Sequence, residues 1–201
     1  MQALILGSSS PYRHELLERL GLPFQCHSPD VDERPLADEA PDALVARLAR
    51  LKAEAVARQY PDALIIGSDQ VAELDGRILG KPGGHEQAVQ QLRAASERAV
   101  RFHTGLCLLN ARTGRVQILA VPFTVHFRTL DSAMIEEYLR REQPYGCAGS
   151  FKSEGLGIAL FQRMEGDDPT ALIGLPLITL TTMLREEGVA VLGGQNPADP
   201  R

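Results

Sequence analysis

Residues 4–13, Leu-Ile-Leu-Gly-Ser-Ser-Ser-Pro-Tyr-Arg, decide the fold because they place a strand, a turn and a helix start in succession. The apolar residues 4–6 predict a buried strand, and the small residues after them predict a turn. Pro11 suits the first position of a helix, and Ser10 suits the N-cap before it. A helix N-terminus presents free N–H groups and the positive end of the helix dipole. The stretch therefore predicts a binding site for an anion.

Two interpretations of this turn stay open from the residues alone. A capped helix that follows a strand is common and needs no ligand. A phosphate site would instead use the hydroxyl groups of Ser8 and Ser10 and the fixed positive charge of Arg13. The remainder of the chain has to decide between the two.

The composition is that of an ordinary globular enzyme. The 201 residues are 44% hydrophobic and 23% charged, enough for one compact α/β unit or two small lobes. The net charge of -5 argues against a nucleic-acid polymer as partner. Three cysteines without close pairs suit a reducing compartment. We find no signal peptide and no apolar stretch of membrane length, so we expect a cytoplasmic protein without a membrane partner.

Strand and helix patterns alternate along the chain. Strands are predicted over residues 24–28, 63–67, 71–74, 77–79, about 99–109, about 116–128 and about 156–163. Helices are predicted over residues 41–60, 86–95, about 131–141 and about 176–187. This order predicts an α/β fold in which helices flank a long mixed, twisted β-sheet, with two lobes around a cleft. We expect residues 1–192 to form one domain and the Gly-, Asn- and Pro-rich residues 193–201 to be a disordered tail.

Asp69 is the sharpest candidate for chemistry, because we expect it directly after the buried strand over residues 63–67. Ligands of α/β sheets dock at strand ends, where a carboxylate can bind a divalent ion or accept a proton from water. The alternative is a capping aspartate at a turn. Glu33 lies in an acidic loop with Asp30 and Asp32, and such clusters are most often just solvated.

Two lysines are candidates for contacts to an anion. Lys81 lies in the loop over residues 80–84, whose glycines and proline fit neither a strand nor a helix. Lys52 lies beside the apolar stripe of the second predicted helix. That stripe is predicted to consist of Leu44, Leu48, Leu51 and Ala55. A lysine at this boundary usually extends to solvent, whereas one aimed into a cleft would need a phosphate or carboxylate partner.

Other catalytic signatures are absent from the sequence. It contains no Gly-x-x-x-x-Gly-Lys-Ser/Thr loop, no Gly-x-Gly-x-x-Gly fingerprint and no Gly-x-Ser-x-Gly elbow. The five histidines form no zinc pattern with the cysteines, and we expect most of them at the surface or in strands. Serines, cations and carboxylates suit metal-assisted attack on a polyphosphate better than acyl transfer or redox chemistry.

An ordered set of motifs between about residues 3 and 188 resembles that of the Maf-like nucleoside triphosphate pyrophosphatases. The motifs are Ser-Ser-Ser-Pro-Tyr-Arg at 8–13, Val-Asp-Glu at 31–33, Arg-Leu-Ala at 47–49, Lys-Ala at 52–53, Gly-Ser-Asp-Gln at 67–70, Gly-Lys-Pro at 80–82, His-Thr-Gly at 103–105 and Gly-Leu-Pro at 174–176. Each motif alone is weak, whereas their order is specific.

The resemblance implies a fold like that of inosine triphosphate pyrophosphatase, with the nucleotide in the cleft. It also implies hydrolysis of a nucleoside triphosphate to the monophosphate and diphosphate with a divalent cation, Mg²⁺ or Mn²⁺. Asp69 would be the catalytic proton acceptor and, with Glu33, would hold the metal. Arg13, Lys52 and Lys81 match polar positions of the family's site. A homodimer is a further expectation from the resemblance.

Three departures from the common family pattern resemble the branch that hydrolyses 7-methyl-GTP. They are Tyr12 where many members have an arginine, Gln70 where many have a threonine, and Glu154 where many have a glutamine. Methylation at N7 makes the guanine ring cationic, and an aromatic face attracts such a ring by about 1–2 kcal/mol when desolvated. A carboxylate at position 154 could accept hydrogen bonds from the two adjacent N–H groups of guanine.

Two alternatives to 7-methyl-GTP hydrolysis stay open. The enzyme could clear other non-standard or pyrimidine triphosphates such as UTP or dTTP. The chain could instead be a nucleotide-binding regulator of cell division with little catalysis, because family members have been linked with septum formation. A nucleotide panel distinguishes these readings.

Overall fold

The computed structural model describes residues 2–193, so residues 194–201 of the predicted tail lie outside the described part. The strands are β1 (Leu4–Gly7), β2 (Gln25–Cys26), β3 (Leu64–Leu74), β4 (Arg77–Leu79), β5 (Ala99–Asn110), β6 (Arg115–Phe127) and β7 (Phe161–Glu165). The α-helices are α1 (Pro11–Glu18), α2 (Pro41–Ala57), α3 (His85–Ala95), α4 (Ser132–Glu142) and α5 (Leu177–Glu186).

These strands form one mixed sheet. The order is β2-β1-β3-β5-β6-β7, and β4 pairs with the far end of β3. The strand β1 runs parallel to β2 and β3, whereas β3, β5, β6 and β7 pair antiparallel. Antiparallel neighbours need only short connections, and the turn at Asp75-Gly76 has positive φ at both residues, as a two-residue hairpin requires. The α/β fold with a long mixed sheet is confirmed.

Three buried clusters surround this sheet. Helices α1 and α5 pack on one face of its first half, and α2 covers the opposite face. The second halves of β3 and β6 and the first half of β5 pack with α3 and α4 in a third cluster, in which four phenylalanines meet edge to face. The long strands therefore run through two lobes, and the sheet positions side chains of both lobes around the space between them.

Helix α2 lies unusually close to the sheet because two strand residues opposite it have no side chain. A Cβ atom at Gly67 would lie 2.0 Å from the carbonyl oxygen of Ala49, and one at Gly105 would lie 2.0 Å from that of Val45. Any side chain there would push the helix outward. The buried stripe of α2 differs from the predicted one after Leu48. Instead of Leu51 and Ala55, it contains Ala49, Lys52, Ala53 and Val56.

A buried histidine ties the start of α2 to the sheet. His103 of β5 is 3% exposed, and its Nε2 lies 2.7 Å from Oε2 of Glu73 on β3. Its Nδ1 contacts Oδ1 of Asp42 in the first turn of α2. His103 therefore connects β3 and β5 with the first turn of α2.

Two predictions about strands are wrong in detail. The strands over 63–67 and 71–74 are one continuous strand, β3, because its pairing with β5 extends from Leu64 to Glu73 without a break. The strand predicted from residue 156 begins only at Phe161, and residues Leu156–Leu160 form a 3₁₀ helix instead. Over so short a segment, the apolar residues fit the two-residue period of a strand and the period of a helix equally well. The pattern therefore could not distinguish a strand from a helix.

The predicted helix starts are confirmed. Ser10 caps α1 by accepting a hydrogen bond from the backbone N–H of Arg13, and Asp131 caps α4 in the same way from Met134. Pro11 opens α1, as predicted. Between residues 2 and 193, none of the helices is both long and apolar enough to span a lipid bilayer.

Candidate active site

One cavity of about 550 Å³ collects every site residue that the sequence predicted. It lies between the β1–α1 turn, the middle of β3 and the loop between α4 and β7. The predicted residues on its wall are Ser8, Ser10, Tyr12, Arg13, Glu33, Lys52, Asp69, Gln70, Lys81 and Glu154. Small-molecule sites typically enclose roughly 300–1,000 Å³, so this cavity has the size of a ligand site.

The cavity has two chemically different parts. We call the part formed by Arg13, Glu33, Lys52 and Asp69 the charged end. We call the part formed by Tyr12, Cys147 and Glu154 the aromatic end. Residues of the charged end come mainly from α1, α2 and β3, whereas two of the three residues of the aromatic end belong to the loop between α4 and β7.

At the charged end, one ammonium group joins two carboxylates. Nζ of Lys52 lies 2.6 Å from Oδ1 of Asp69 and 2.7 Å from Oε1 of Glu33. Lys52 is only 7% exposed, so its charge needs these partners. Of the two alternatives that the sequence left open for Lys52, solvent or a partner in a cleft, these contacts agree with the second.

Asp69 does not lie at a strand end, contrary to the prediction. It is an inner residue of β3, 8% exposed, and Gly105 of β5 is its partner in the register. Because Gly105 has no side chain, α2 approaches the sheet beside Asp69 and brings Lys52 into contact with the carboxylate. The position of Asp69 therefore depends on the close contact between α2 and the sheet rather than on the edge of the sheet.

Arg13 extends from the first helical turn towards the same carboxylates. Its Nε donates a hydrogen bond of 2.8 Å to the carbonyl oxygen of Gly174. Burial lowers the pKa of Arg13, and the charges of Asp69 and Glu33 act in the opposite direction. Arg13 therefore adds a second positive charge to the charged end, and Gly174 fixes its orientation.

The serine turn is held by its own hydrogen bonds. The backbone N–H of Ser10 donates to Oγ of Ser8 at 3.1 Å, and Ser8 itself is 7% exposed. The turn thereby presents the N-terminus of α1 to the cavity. This arrangement agrees with the anion site that the sequence predicted.

Gln70 points to the opposite face of β3 from Asp69 and holds part of the cavity wall. Its Nε2 lies 2.7 Å from the carbonyl oxygen of Ala171 and 3.1 Å from that of Leu172, which lines the cavity. Ser68 on the same face donates to the carbonyl oxygen of Gly174. These contacts make Gln70 a positioning residue for the wall, and its role in specificity stays a prediction.

At the aromatic end, Tyr12 contacts a thiol. The Tyr12 hydroxyl and Sγ of Cys147 are 3.8 Å apart. Burial, with Cys147 and Glu154 nearby, raises the pKa of Tyr12 to about 12, so the hydroxyl stays protonated at neutral pH. Glu154 is exposed and accepts a hydrogen bond from Oγ of Ser153 at 3.2 Å. The two predicted specificity residues thus belong to one part of the cavity.

Lys81 also affects this part of the cavity. Burial raises the pKa of the Cys147 thiol, whereas the Tyr12 hydroxyl and the charges of Lys152 and Lys81 lower it. Lys81 is exposed and lines the cavity from the loop after β4. It is therefore placed to meet a ligand that extends from the charged end.

The model of the Maf-like protein family matches residues 3–187 of this sequence. The chain belongs to the Maf-like family. Its Maf-like relatives include a protein named 7-methyl-GTP pyrophosphatase in Pseudomonas syringae pv. tomato, 63% identical over 191 residues, which are 95% of this chain and 100% of that protein. A protein of the same name in Nitrosococcus oceani is 60% identical over 94% of this chain and 95% of its own.

Two solved structures share the fold of this chain at much lower sequence identity. The Ham1 protein of Staphylococcus aureus superposes with a TM-score of 0.52 at 12% identity, over 92% of this chain and 100% of the other. A HAM1 protein from Coxiella burnetii gives 0.51 at 16% identity, with the same coverage. At these identities the likeness concerns the fold alone.

Sequence reasoning missed three residues around this Maf-like site. Cys147 lines the cavity but gave no signal, because an isolated cysteine in a Gly-rich loop has no diagnostic spacing. Ser68 and Gly174 lie within motifs that carried the family resemblance, yet their contact with each other became visible only in the fold. Side-chain to backbone contacts between distant segments leave no periodic pattern in a sequence.

The donor set of the charged end fits a divalent cation that a substrate helps to bind. Mg²⁺ commonly takes one or two carboxylates together with substrate phosphates and water. Glu33 and Asp69 offer two carboxylates that already bind a cationic group, the Lys52 ammonium. Among residues 2–193, no cluster of three or more His, Cys, Asp or Glu could hold a metal ion by itself. Metal binding by Glu33 and Asp69 stays a prediction.

Proposed function

We propose that this Maf-like protein is a nucleoside triphosphate pyrophosphatase that hydrolyses 7-methyl-GTP to 7-methyl-GMP and diphosphate, and so clears a modified nucleotide. The observation that carries the proposal is the single cavity that unites all ten predicted residues. Relatives that bear this activity in their names, at about 60% identity over nearly the whole chain, support the choice of substrate.

The triphosphate would bind at the charged end. The N-terminus of α1, with Ser8 and Ser10, offers N–H and hydroxyl donors to phosphate oxygens. Arg13 provides a planar donor group of fixed charge, and its orientation is set by Gly174. Lys52 and Lys81 add two further positive charges on the wall of the same cavity. Together they offset the negative charge of three linked phosphates.

Asp69 would act as the general base. Its carboxylate accepts a proton from a water molecule, and the water oxygen forms a bond to the α-phosphorus while the bond from this phosphorus to the α,β-bridging oxygen breaks. Diphosphate leaves with the bridging oxygen. The Lys52 ammonium, 2.6 Å from Asp69, holds this carboxylate in place on the wall of the cavity.

A divalent cation, Mg²⁺ or Mn²⁺, would be held by Glu33 and Asp69 with phosphate oxygens of the substrate. When bound, it would neutralise charge on the triphosphate and on the departing diphosphate. The protein's own contribution is to hold the triphosphate between Arg13 and Lys52 so that the α-phosphorus lies next to the base. Such positioning and charge stabilisation account for much of the rate in phosphoryl chemistry.

The base would bind at the aromatic end. The ring of Tyr12 offers its face to the cationic 7-methylguanine ring, which it attracts by about 1–2 kcal/mol when desolvated. The Glu154 carboxylate accepts from the two N–H groups on the pairing edge of guanine, and its charge strengthens both bonds. Uracil and thymine lack that pair of adjacent donors, so they lose these bonds.

A nucleotide panel tests the proposal. Diphosphate release is measured for 7-methyl-GTP, GTP, UTP, dTTP and CTP with Mg²⁺ and with Mn²⁺, and without any divalent ion. We expect the highest kcat/KM for 7-methyl-GTP and almost no release in the metal-free reaction.

Two results of the panel would contradict the proposal. A higher kcat/KM for UTP or dTTP than for 7-methyl-GTP would overturn the substrate. Binding of nucleotides without diphosphate release would overturn the reaction and favour the regulatory alternative. An unmethylated GTP control separates recognition of guanine from recognition of the N7 charge.

The compartment and the assembly state complete the proposal. Cys26, Cys107 and Cys147 are all free thiols, which supports a reducing compartment and thus the cytoplasm. The homodimer implied by the family resemblance stays a prediction, and sedimentation velocity of the full chain tests it.

A further inference from the structure

We propose that in the nucleotide-free protein Lys52 occupies the position between Glu33 and Asp69 that a divalent cation takes when a triphosphate is bound. The proposal rests on the proposed function, since it concerns the metal of that reaction. It makes Lys52 more than a phosphate contact, because its ammonium and the metal then compete for the same two carboxylates.

The geometry of the ammonium supports this competition. Nζ of Lys52 contacts one oxygen of Asp69 at 2.6 Å and one oxygen of Glu33 at 2.7 Å. Two carboxylate oxygens around one buried cation are the part of a Mg²⁺ or Mn²⁺ site that a protein usually supplies. A metal cannot bind both oxygens while the ammonium stays between them.

The charge balance of the charged end leads to the same conclusion. Arg13 and Lys52 carry two positive charges, and Glu33 and Asp69 carry two negative charges. The charges of these four side chains therefore balance one another without a metal ion. A dication added to this set would meet a repulsive ammonium at contact distance. A triphosphate reverses the balance, because its negative charge attracts both the ammonium and a dication.

The fold lets the ammonium move while its backbone stays fixed. Helix α2 rests directly on Gly67 and Gly105, so its main chain has no room to shift towards the sheet. The four-carbon stem of Lys52 can change rotamers and carry the ammonium from the carboxylates to a phosphate in the same cavity. Exchange of one cation for another then leaves neither carboxylate buried without a partner.

The test titrates Mn²⁺ alone into the nucleotide-free protein and measures free Mn²⁺ by electron paramagnetic resonance. Wild type should bind weakly. Lys52→Met should bind about tenfold tighter or more, because the repulsive ammonium is gone. Lys52→Gln serves as a second variant if the methionine variant does not fold, since its amide still donates a hydrogen bond to one carboxylate.

Two controls locate the effect. Lys81→Met removes another lysine of the cavity that is not in contact with either carboxylate, and it should leave Mn²⁺ affinity at the wild-type value. The double variant Lys52→Met, Glu33→Gln should lose most of the gain, because one of the two metal ligands is neutral. Circular dichroism confirms that each variant is folded.

Three results would overturn the inference. Lys52→Met and Lys52→Gln could bind Mn²⁺ no tighter than wild type. Lys81→Met could gain as much affinity, which would reveal a general charge effect. The gain could also persist in the double variant, which would place the ion elsewhere. The titration contains no nucleotide, so its outcome is independent of the nucleotide panel that tests the proposed function.

Discussion

The charged end and the aromatic end of the cavity are built in opposite ways. Arg13, Lys52 and Asp69 belong to α1, α2 and β3, and each is paired with another group of the protein. Cys147 and Glu154 belong to a loop, and Glu154 is exposed with one contact to its sequence neighbour. Three of the four residues of the charged end are therefore held by regular elements, whereas two of the three residues of the aromatic end belong to a loop.

This difference suits the charged end to the reaction and the aromatic end to the choice of substrate. Chemistry on a triphosphate needs charges at constant distances, and regular elements hold side chains more precisely than loops do. Recognition of a base needs groups that can differ among relatives while the scaffold stays the same. Substitutions at the charged end should therefore affect all substrates, and those at the aromatic end should affect the choice among them.

The largest effect is expected for Asp69→Asn. An amide cannot accept the proton from water, so kcat should fall by roughly 100- to 10,000-fold for every nucleotide that the protein hydrolyses. Nucleotide affinity, measured by calorimetry, should survive. Asp75→Asn is the matched control, because Asp75 lies in the exposed turn after the same strand. Near-normal turnover of Asp69→Asn would remove Asp69 from the role of base.

A smaller effect is expected for Gly105→Ala, which tests whether the fold fixes the charged end. The new Cβ would lie 2.0 Å from the carbonyl oxygen of Val45, so α2 has to shift. We expect a loss of about 3 kcal/mol in the free energy of unfolding, the upper end of the usual cost of overpacking. Denaturant titration measures this loss.

Gly80→Ala is the control for the glycine substitution. Gly80 has a negative φ, and a Cβ there would meet no atom within 4 Å. Its unfolding free energy should stay within about 0.5 kcal/mol of wild type. Equal stability of the Gly105 and Gly80 variants would mean that the close approach of α2 does not matter.

The smallest effect is expected for Glu154→Gln, which tests the aromatic end. A neutral acceptor forms hydrogen bonds weaker by about 1 kcal/mol than a charged one, so kcat/KM for 7-methyl-GTP should fall about fivefold. The value for UTP should change little. Glu86→Gln, an exposed glutamate outside the cavity, is the control. A parallel loss for both nucleotides would erase the distinction between the two ends.

Local signals predicted much of this architecture. The sequence Ser10-Pro11 predicted the start of α1, because a helix cap depends on a few adjacent residues. The two long strands β5 and β6 followed from their length and composition. The residues that line the cavity came from the ordered motifs of the family rather than from periodicity.

Contacts between segments that are distant along the chain could not be predicted from the sequence. The pattern of α2 favoured Leu51 and Ala55 as core residues, because Lys52 is charged and its partners lie on other segments. Asp69 was expected at a strand end, because the polar run 68–70 looked like the limit of a buried strand. Only the fold reveals that this polar run continues as a strand between α2 and residues 171–174.

The carbonyl group of Gly174 joins Arg13 and Ser68, which come from the first and the middle third of the chain. The ribosome synthesises Arg13 and Ser68 well before Gly174, whose carbonyl oxygen accepts a hydrogen bond from each of them. A nascent chain can form the β1–α1 turn early, but it cannot lock Arg13 in place before residue 174 has left the ribosome. The orientation of Arg13 seen in the finished fold therefore depends on a residue that is synthesised near the end of the chain.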